Sequence, residues 1–477
     1  MRKVFKNCYE MDRRCYEDYG LTEDILMEHA AEGMESYMRH QLKGASSILI
    51  VAGPGNNGAD GIALARLMQF GFGSVKLYLP FGAKSTMGKL QLKRVELLDY
   101  VEVVDTLYDA DIVVDALFGA GLSRPLNETG QNIVNEMNGL NGFKIACDIP
   151  TGIDERGYVA NEVFDADVTI TMGALKEALY SDMVKDFTGD VIRVDLGLRY
   201  NYYTKGTTPS SYLLTKEDIG LPSREFSQVT HKGSFGHVVV LCGEKEGAGI
   251  MAAMSAARFG AGLTTVISHE KVALPPYLMH AGELPMGATA IAVGMGLGHY
   301  MDDAFLFKTV VDSHLSVLLD ADSFYNAKLL RVLEEKEREI VLTPHLKEFT
   351  VLWKMLTGET LTVEQVQADR FGVVRKFAAL YPHVTLLLKG ANMLIVQGDK
   401  SYINPLGSSR LSKGGSGDVL SGLIVALLAQ GYSGVDAAIQ GSLALTAAAA
   451  GYGGSSYAML PVDLIDAVAR LESTDWA

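Results

Sequence analysis

An α/β protein of two successive domains is what this sequence predicts, on three observations. Short apolar runs of strand length alternate with helix-patterned segments along the chain. One glycine-rich loop follows a strand and opens a helix at Gly53–Gly61, and a second opens a helix at Gly414–Gly417. Between them, Tyr200–Ser211 lapses into polar and turn residues, among them Asn201, Thr204, Gly206 and Pro209. Such alternation implies a mostly parallel, doubly wound sheet, because parallel neighbours need a crossover connection. The domains are expected at 1–205 and 211–477, with a linker between.

In the first half, an amphipathic helix is predicted over Glu23–Leu42. Strands follow at Ser47–Ala52, Val75–Leu79, Asp111–Leu117, Lys144–Asp148, Val168–Met172 and Asp190–Leu196. In the second half, strands are predicted at His237–Cys242, Leu263–Ser268, Thr289–Val293, Ser316–Asp320, Ile340–Thr343, Val384–Leu388 and Met393–Gln397. Ala248–Gly260 and Val363–Tyr381 read as helices. So do the run from the second glycine loop to Gln430 and the small-residue stretch Ala437–Ala450.

A chain of 477 residues has ample material for large cores. The formal net charge of −15 argues against nucleic acid or an anionic membrane as partner, since both need basic surface. It leaves room for an anionic nucleotide, which a local nest of backbone N–H groups can hold. Cys8, Cys15, Cys147 and Cys242 are scattered without metal or disulfide spacing, so a reduced cytoplasm is the expected setting. Met1–Lys6 is not followed by an apolar signal core, and the longest near-candidate for a membrane span, Leu423–Ala429, is far too short.

The richest stretch is Lys413-Gly414-Gly415-Ser416-Gly417-Asp418 running into an apolar helix. Glycines let successive N–H groups point into one concavity, and the helix start adds its positive end, a combination that binds phosphate oxygens. Asp418 stands where a carboxylate would take a proton from a hydroxyl during phosphoryl transfer. In the first half, Gly53, Gly55 and Gly58 satisfy G-x-G-x-x-G, a weak dinucleotide signal alone, and the ribose-binding acid expected after the second strand is missing. Asn56, Asn57 and Asp60 make that loop rich in hydrogen-bonding groups instead. Asp115 leads into Phe118–Pro125, and Asp148 into Ile149–Asp154, again at strand ends. Ligands of open α/β sheets sit outside the carboxyl ends of strands, so these loops can converge on one pocket. Taken singly, Asp115 or Asp148 is as readily a turn cap as a ligand-binding group; three polar loops at strand ends favour the latter for the set. Arg124 is suited to phosphate, and oxygens of Asn57, Asp115 and Thr151 suit a hard cation.

Gly55–Gly61, Asp115–Leu122 and Asp148–Gly152 resemble the YjeF N-terminal family, the NAD(P)H-hydrate epimerases, over about 1–205. The resemblance implies a Rossmann-like domain. In it Asn56, Asn57, Gly58, Ala59 and Asp60, then Gly119, Ala120, Gly121, Leu122, Ser123, Arg124 and Pro125, and Asp148 contact the hydrated nucleotide. It also implies that Asn57, Asp115 and Thr151 hold potassium and that Asp148 is the acid–base group. Thr151 stands where that family usually has serine, and Ala59 where it has glycine. Lys176 falls in a segment similar to the family's.

His231–His237, Leu318–Ser323, Leu342–His345, Leu388–Met393 and the glycine loop resemble, in order and spacing, the ADP-dependent NAD(P)H-hydrate dehydratases of the ribokinase-like group, over about 211–475. That resemblance implies that Lys389, Gly390, Ala391, Asn392, Met393 and Gly417 contact ADP or ATP. Asp418 would touch substrate and act as base, and Ala253, Gly296 and His345 would line the substrate site. Leu346 and Lys347 depart from the family's proline and glycine, Met295 from a proline, and Ser408-Ser409-Arg410 from Asn-Pro-Gly.

The chain as a whole thus looks like a bifunctional hydrate-repair enzyme. The implied ligands are NADH or NADPH hydrated on the nicotinamide ring, ADP or ATP as co-substrate, Mg²⁺ on its phosphates, and K⁺ in the first domain. Neither nucleic acid nor membrane is expected, and a homo-oligomer is. Two other readings draw on the same residues. A small-alcohol or vitamin kinase would share Asp418 but release a stable phosphomonoester. A non-catalytic nucleotide sensor would draw only on the departures near His345 and Ser408.

Overall fold

The computed structural model describes residues 1–68, 73–122, 124–224, 228–298 and 301–471. They fall into two compact units, Lys3–Ser211 and Tyr212–Ala477 with Met1–Arg2. The α/β class expected from the sequence holds in both.

The first unit runs β1 (Arg2–Phe5), α1 (Tyr9–Glu17), α2 (Glu23–Gln41), β2 (Ser47–Ala52), α3 (Asn56–Leu67), β3 (Ser74–Tyr78), α4 (Thr86–Val95), β4 (Val101–Val104), β5 (Ile112–Ala116), α5 (Glu128–Gly139), β6 (Phe143–Cys147), β7 (Val168–Met172), β8 (Leu175–Lys176), β9 (Asp190–Val194) and α6 (Tyr200–Tyr203). Its seven-stranded sheet has the order β4-β3-β2-β5-β6-β7-β9, and every pairing is parallel. A separate parallel pair joins β1 to β8 through Val4 and Leu175. The period-2 geometry of β2 explains the double winding. Ile48, Ile50 and Ala52 pack with α2 and α3, whereas Leu49 and Val51 face the opposite layer with Ile133, Val134 and Met137 of α5. Thr22 starts α2 by accepting from the Ile25 N–H, a cap worth about 1 kcal/mol.

The second unit runs β10 (Ser211–Leu213), β11 (His237–Leu241), α7 (Glu246–Arg258), β12 (Leu263–Ile267), β13 (Met279–Ala281), β14 (Ala290–Val293), α8 (Asp303–Leu306), β15 (Ser316–Leu319), β16 (Ile340–Leu342), α9 (Leu346–Thr357), α10 (Val363–Ala368), α11 (Arg370–Leu380), β17 (Thr385–Leu388), β18 (Met393–Gln397), β19 (Lys400–Asn404), α12 (Ser416–Ala429), α13 (Gly434–Ala450) and α14 (Pro461–Val468). Its strands lie in the order β13-β12-β11-β14-β15-β16-β17-β18-β19-β10. They are parallel except at β17–β18 and β18–β19, which are antiparallel. The small residues of α7 and α12 let the two helices pack closely: Gly422 lies against the Ala252 carbonyl and the Ser255 side chain.

Three local readings change. The single helix expected over Val363–Tyr381 is two, because the Asp369 side chain accepts from the Gly372 N–H and starts α11 afresh. Tyr200–Ser211 is not free of structure. It holds the turn α6, whose Tyr203 is buried to 2 % exposure, and it ends in β10. The polar strand β19 was not anticipated. It is recruited by pairing with β18 rather than by apolar content.

Candidate functional sites

In the first unit the strand order reverses between β2 and β5, and ligands gather at such a switch point. The loops after those strands touch. Gly53 donates to the Ala116 carbonyl at 2.9 Å, and any Cβ on Gly53 would overlap the Leu117 carbonyl. The β6 loop joins them at Asp148. A cleft of about 810 Å³ results, lined by Asn56, Asn57, Asp60, Gly119, Ala120, Gly121, Leu122, Arg124 and Asp148. Gly58 and Ala59 are buried beneath it, Pro125 is exposed beside it, and Ser123 lies outside the described residues.

Asp148 adopts a positive φ of 67°, a conformation uncommon outside glycine and costly to hold. Its Oδ1 accepts from the Lys176 ammonium at 2.5 Å and from the Thr171 hydroxyl and Met172 N–H, both at 3.1 Å. Its Oδ2 has no protein hydrogen bond among the described residues and is left for a ligand. Lys176 is 3 % exposed. Burial works against its charge, but Asp148 beside it prevails and holds the ammonium above the usual lysine range. Asp60 is pushed well up, first by burial and then by Asp148.

Below the cleft, Asp115 is fully buried. Its carboxylate accepts from the Thr151 hydroxyl and N–H, both at 2.7 Å, and from the Leu117 N–H at 3.1 Å. Burial still drives it up to about 6 against those hydrogen bonds, and no cationic side chain pairs with it among the described residues. Asn57 presses its side-chain oxygen close to Gly119, while its Nδ2 is buried without a partner. The Asp115 carboxylate and Thr151 hydroxyl, with the Asn57 side-chain oxygen on the neighbouring loop, are donors of the type and charge that a monovalent cation takes.

In the second unit, Gly415 takes φ +96° and turns the chain into α12, with Asp418 in the first turn. Lys389 reaches from the end of β17 to Asp320 Oδ1 at 2.7 Å and lies 3.8 Å from Glu348. Ser421 donates to Asp320 Oδ2 at 2.7 Å, which ties that carboxylate to α12. Asp418 is pushed up to about 6 by burial and by neighbouring Asp320, with Lys389 opposing. Gly417 adjoins the Lys389 ammonium, and Gly390–Asn392 form the turn into β18, where Met393 is nearly buried.

His345 is exposed at the start of α9 and accepts from the Lys347 and Glu348 N–H groups. Glu348 answers by accepting from the His345 N–H at 2.8 Å. Ala253 is fully buried in the core. Gly296 stands against Lys245 and Ala248 in the loop after β14, two residues beyond Gly294, which packs on the Asp320 carbonyl. Asp320, Glu348 and Ser421 join the site only through the fold; in the sequence their signals are local, the His345-x-x-Glu348 capping-box spacing and the strand end at Leu318–Ser323. Among the described residues, no helix is long and apolar enough to cross a membrane, and no three histidine, cysteine or acidic side chains gather as a metal cluster.

Fold and sites together define a two-unit α/β protein with a switch-point cleft in one unit and a glycine-loop, carboxylate–lysine site in the other. Residues 23–178 match the family described as YjeF-related protein N-terminus, and residues 238–470 match the NAD(P)H-hydrate dehydratase family. The bifunctional NAD(P)H-hydrate repair enzyme Nnr of Helicobacter pylori is 37 % identical over 484 residues, covering 99 % of this chain and all of that one. The proteins of the same name from Coxiella burnetii and Escherichia coli are 32 % and 29 % identical, covering 91 % and 96 % of this chain and 91 % and 92 % of their own. A solved ADP/ATP-dependent NAD(P)H-hydrate dehydratase from Bacillus subtilis covers 55 % of this chain and 97 % of its own at 26 % identity, with a TM-score of 0.47. The chain belongs to the bifunctional NAD(P)H-hydrate repair enzyme family.

Proposed function

We propose that the first unit interconverts the two epimers of hydrated NADH or NADPH, and that the second dehydrates one of them at the expense of ADP or ATP. The observation that carries this reading is the presence in one chain of two separate carboxylate–lysine centres, Asp148–Lys176 in a nucleotide-sized cleft and Asp320–Lys389 beside Asp418 at a glycine-loop helix start. A kinase of small alcohols would use the second centre alone and leave the first without a task, so that rival is not favoured.

Hydroxide is a poor leaving group, so direct loss of water from the hydrated ring is slow. In the proposed course Asp418 takes the proton of the ring hydroxyl as its oxygen attacks the terminal phosphoryl group of the nucleotide; the C–O bond then breaks to release phosphate, and the neighbouring ring carbon loses to water the proton it gained on hydration as the ring double bond re-forms. The N–H groups of the Gly415–Gly417 turn face the charge developing on the phosphoryl oxygens. Lys389, Gly390, Ala391, Asn392, Met393 and Gly417 hold the nucleotide, and His345 and Gly296 shape the hydrate side, with Ala253 buried in the core behind it. Mg²⁺, carried on the nucleotide phosphates, supplies charge neutralisation. In the first unit Asn57, Asp115 and Thr151 hold K⁺, which neutralises the buried carboxylate under the loops that grip the substrate. Asn56–Asp60 and Gly119–Pro125 are those loops, and Asp148 moves the proton. Four free cysteines accord with a cytoplasmic setting.

The test is incubation of the purified chain with chemically hydrated NADH and either ADP or ATP, following recovery of absorbance at the reduced-nicotinamide band. No recovery with either nucleotide would sink the dehydratase reading.

A further inference from the structure

Asp148 alone does not complete the proton traffic of an epimerisation. Hydration of a dihydronicotinamide protonates an enamine carbon, which puts the hydroxyl on the ring carbon bonded to nitrogen. Inverting that centre by ring opening needs two groups. One takes the hydroxyl proton as the carbon–nitrogen bond breaks and the carbon becomes an aldehyde. The other gives a proton to the departing ring nitrogen. After rotation exposes the opposite face, the nitrogen returns its proton, attacks the aldehyde, and the oxygen regains the proton it lost. Atoms and charge balance with no outside reagent.

Besides Asp148 and the more deeply buried Asp60, the cleft holds a third carboxylate placed for this. Asp12, on α1, lines the main cleft together with Asp148 and also lines the adjoining hollow of about 170 Å³ that reaches Lys176. Its Oδ1 accepts from the Tyr203 hydroxyl at 2.6 Å, and its Oδ2 has no protein hydrogen bond among the described residues. Tyr203 is itself 2 % exposed, and the Arg14 guanidinium grips its carbonyl at 2.8 Å. A buried tyrosine brought from 191 residues away to hold one oxygen of a cleft-lining carboxylate, with the other free of protein partners among the described residues, is an orienting device. The structural alternative, that Asp12 only satisfies Tyr203, leaves its position on the cleft wall unexplained.

Resting on the epimerase reading above, we infer that Asp12, oriented by Tyr203, is the second proton-transfer group of the first unit, serving the ring nitrogen while Asp148 serves the hydroxyl. Burial pushes Asp12 above the usual carboxylate range against the hydrogen bond from Tyr203, which favours the proton-bearing form an acid needs. Tyr203 is a positioning residue in this scheme.

The experiment uses the full chain and separated hydrate epimers. Epimerisation is followed without nucleotide, and dehydration of the accepted epimer with ADP or ATP serves as the internal control. Asp12→Asn should lower the epimerisation kcat by about 100-fold or more, with KM changed by less than about threefold and dehydration intact. Asp12→Ala should regain rate in proportion to added formate. Tyr203→Phe should cost about tenfold in kcat at unchanged KM. If the unsubstituted chain leaves both epimers as they are, the epimerase reading itself falls. If it interconverts them and Asp12→Asn does so within about threefold, or loses only KM, the role of Asp12 alone is overturned. If Asp12→Asn also loses dehydration, Tyr203→Phe decides: a kcat loss at constant KM upholds the inference, and an unchanged kcat rejects it.

Discussion

Both units pair an aspartate with a lysine at the ends of parallel strands, yet they use the pair in opposite ways. In the first, Lys176 bonds the candidate acid–base group directly, and the strained backbone of Asp148 fixes its direction. In the second, Lys389 spends its short contact on Asp320, and Asp418 is left beside that second carboxylate, held up at about 6. A direct ion pair orients a carboxylate and favours its charge. A withheld one leaves the carboxylate basic enough to take a proton and free to meet a substrate. The same two residue types therefore give an anchored group in one unit and a poised one in the other.

The largest expected effect breaks the poised group. Asp418→Asn should lower dehydration by about 10³-fold or more while nucleotide binding, read by calorimetry, stays within about threefold. Turnover near that of the unsubstituted chain would remove Asp418 from the reaction. Next, Asp148→Asn should lower epimerisation by about 10²-fold or more and leave dehydration of the accepted epimer untouched. Mixing the two single variants should restore consumption of both epimers, since each supplies the centre the other lacks. A mixture that fails, with each variant active in its remaining reaction, would mean that the centres must share one chain.

A smaller effect is expected at the cation candidate. Asp115→Ala should weaken epimerisation by about tenfold and abolish its dependence on added K⁺, with dehydration unchanged. Equal loss of both activities would point to misfolding instead. The pH dependence separates the centres further. Dehydration requires Asp418 unprotonated, so its rate should fall about tenfold per unit below pH about 6. A rate flat down to pH 4 would contradict the assignment.

The smallest effect is on stability. The Asp418 pKa is raised on folding from 3.8, so between pH about 4 and about 6 the folded chain keeps a proton that the unfolded chain has released. Stability therefore falls as pH rises through that window, and the cost is complete above it. Asp418→Asn removes the cost, which for a partly exposed group amounts to about 1 kcal/mol at pH 7. The variant should melt about 1–2 °C higher at pH 7 and show no gain at pH 4, by calorimetry.

What the sequence determined by itself is local. Ser47–Ala52, Val168–Met172 and Met393–Gln397 are strands with the expected bounds: burial on both faces leaves near-continuous apolar runs in the first and last, and β-branched Thr169 and Thr171 between apolar residues in the second. The glycine loops and the strand-end acids were legible for the same reason: tight backbone approach and side-chain capping leave marks within a few residues. Tertiary structure alone decided the partners. Lys389 meets Asp320 across 69 residues, Ser421 meets Asp320 across 101, and Tyr203 meets Asp12 across 191. No periodicity in a single chain records such pairings. Sheet order and loop closure bring distant segments to one place, and a hydrogen bond depends on where an atom ends up, not on its neighbours in sequence.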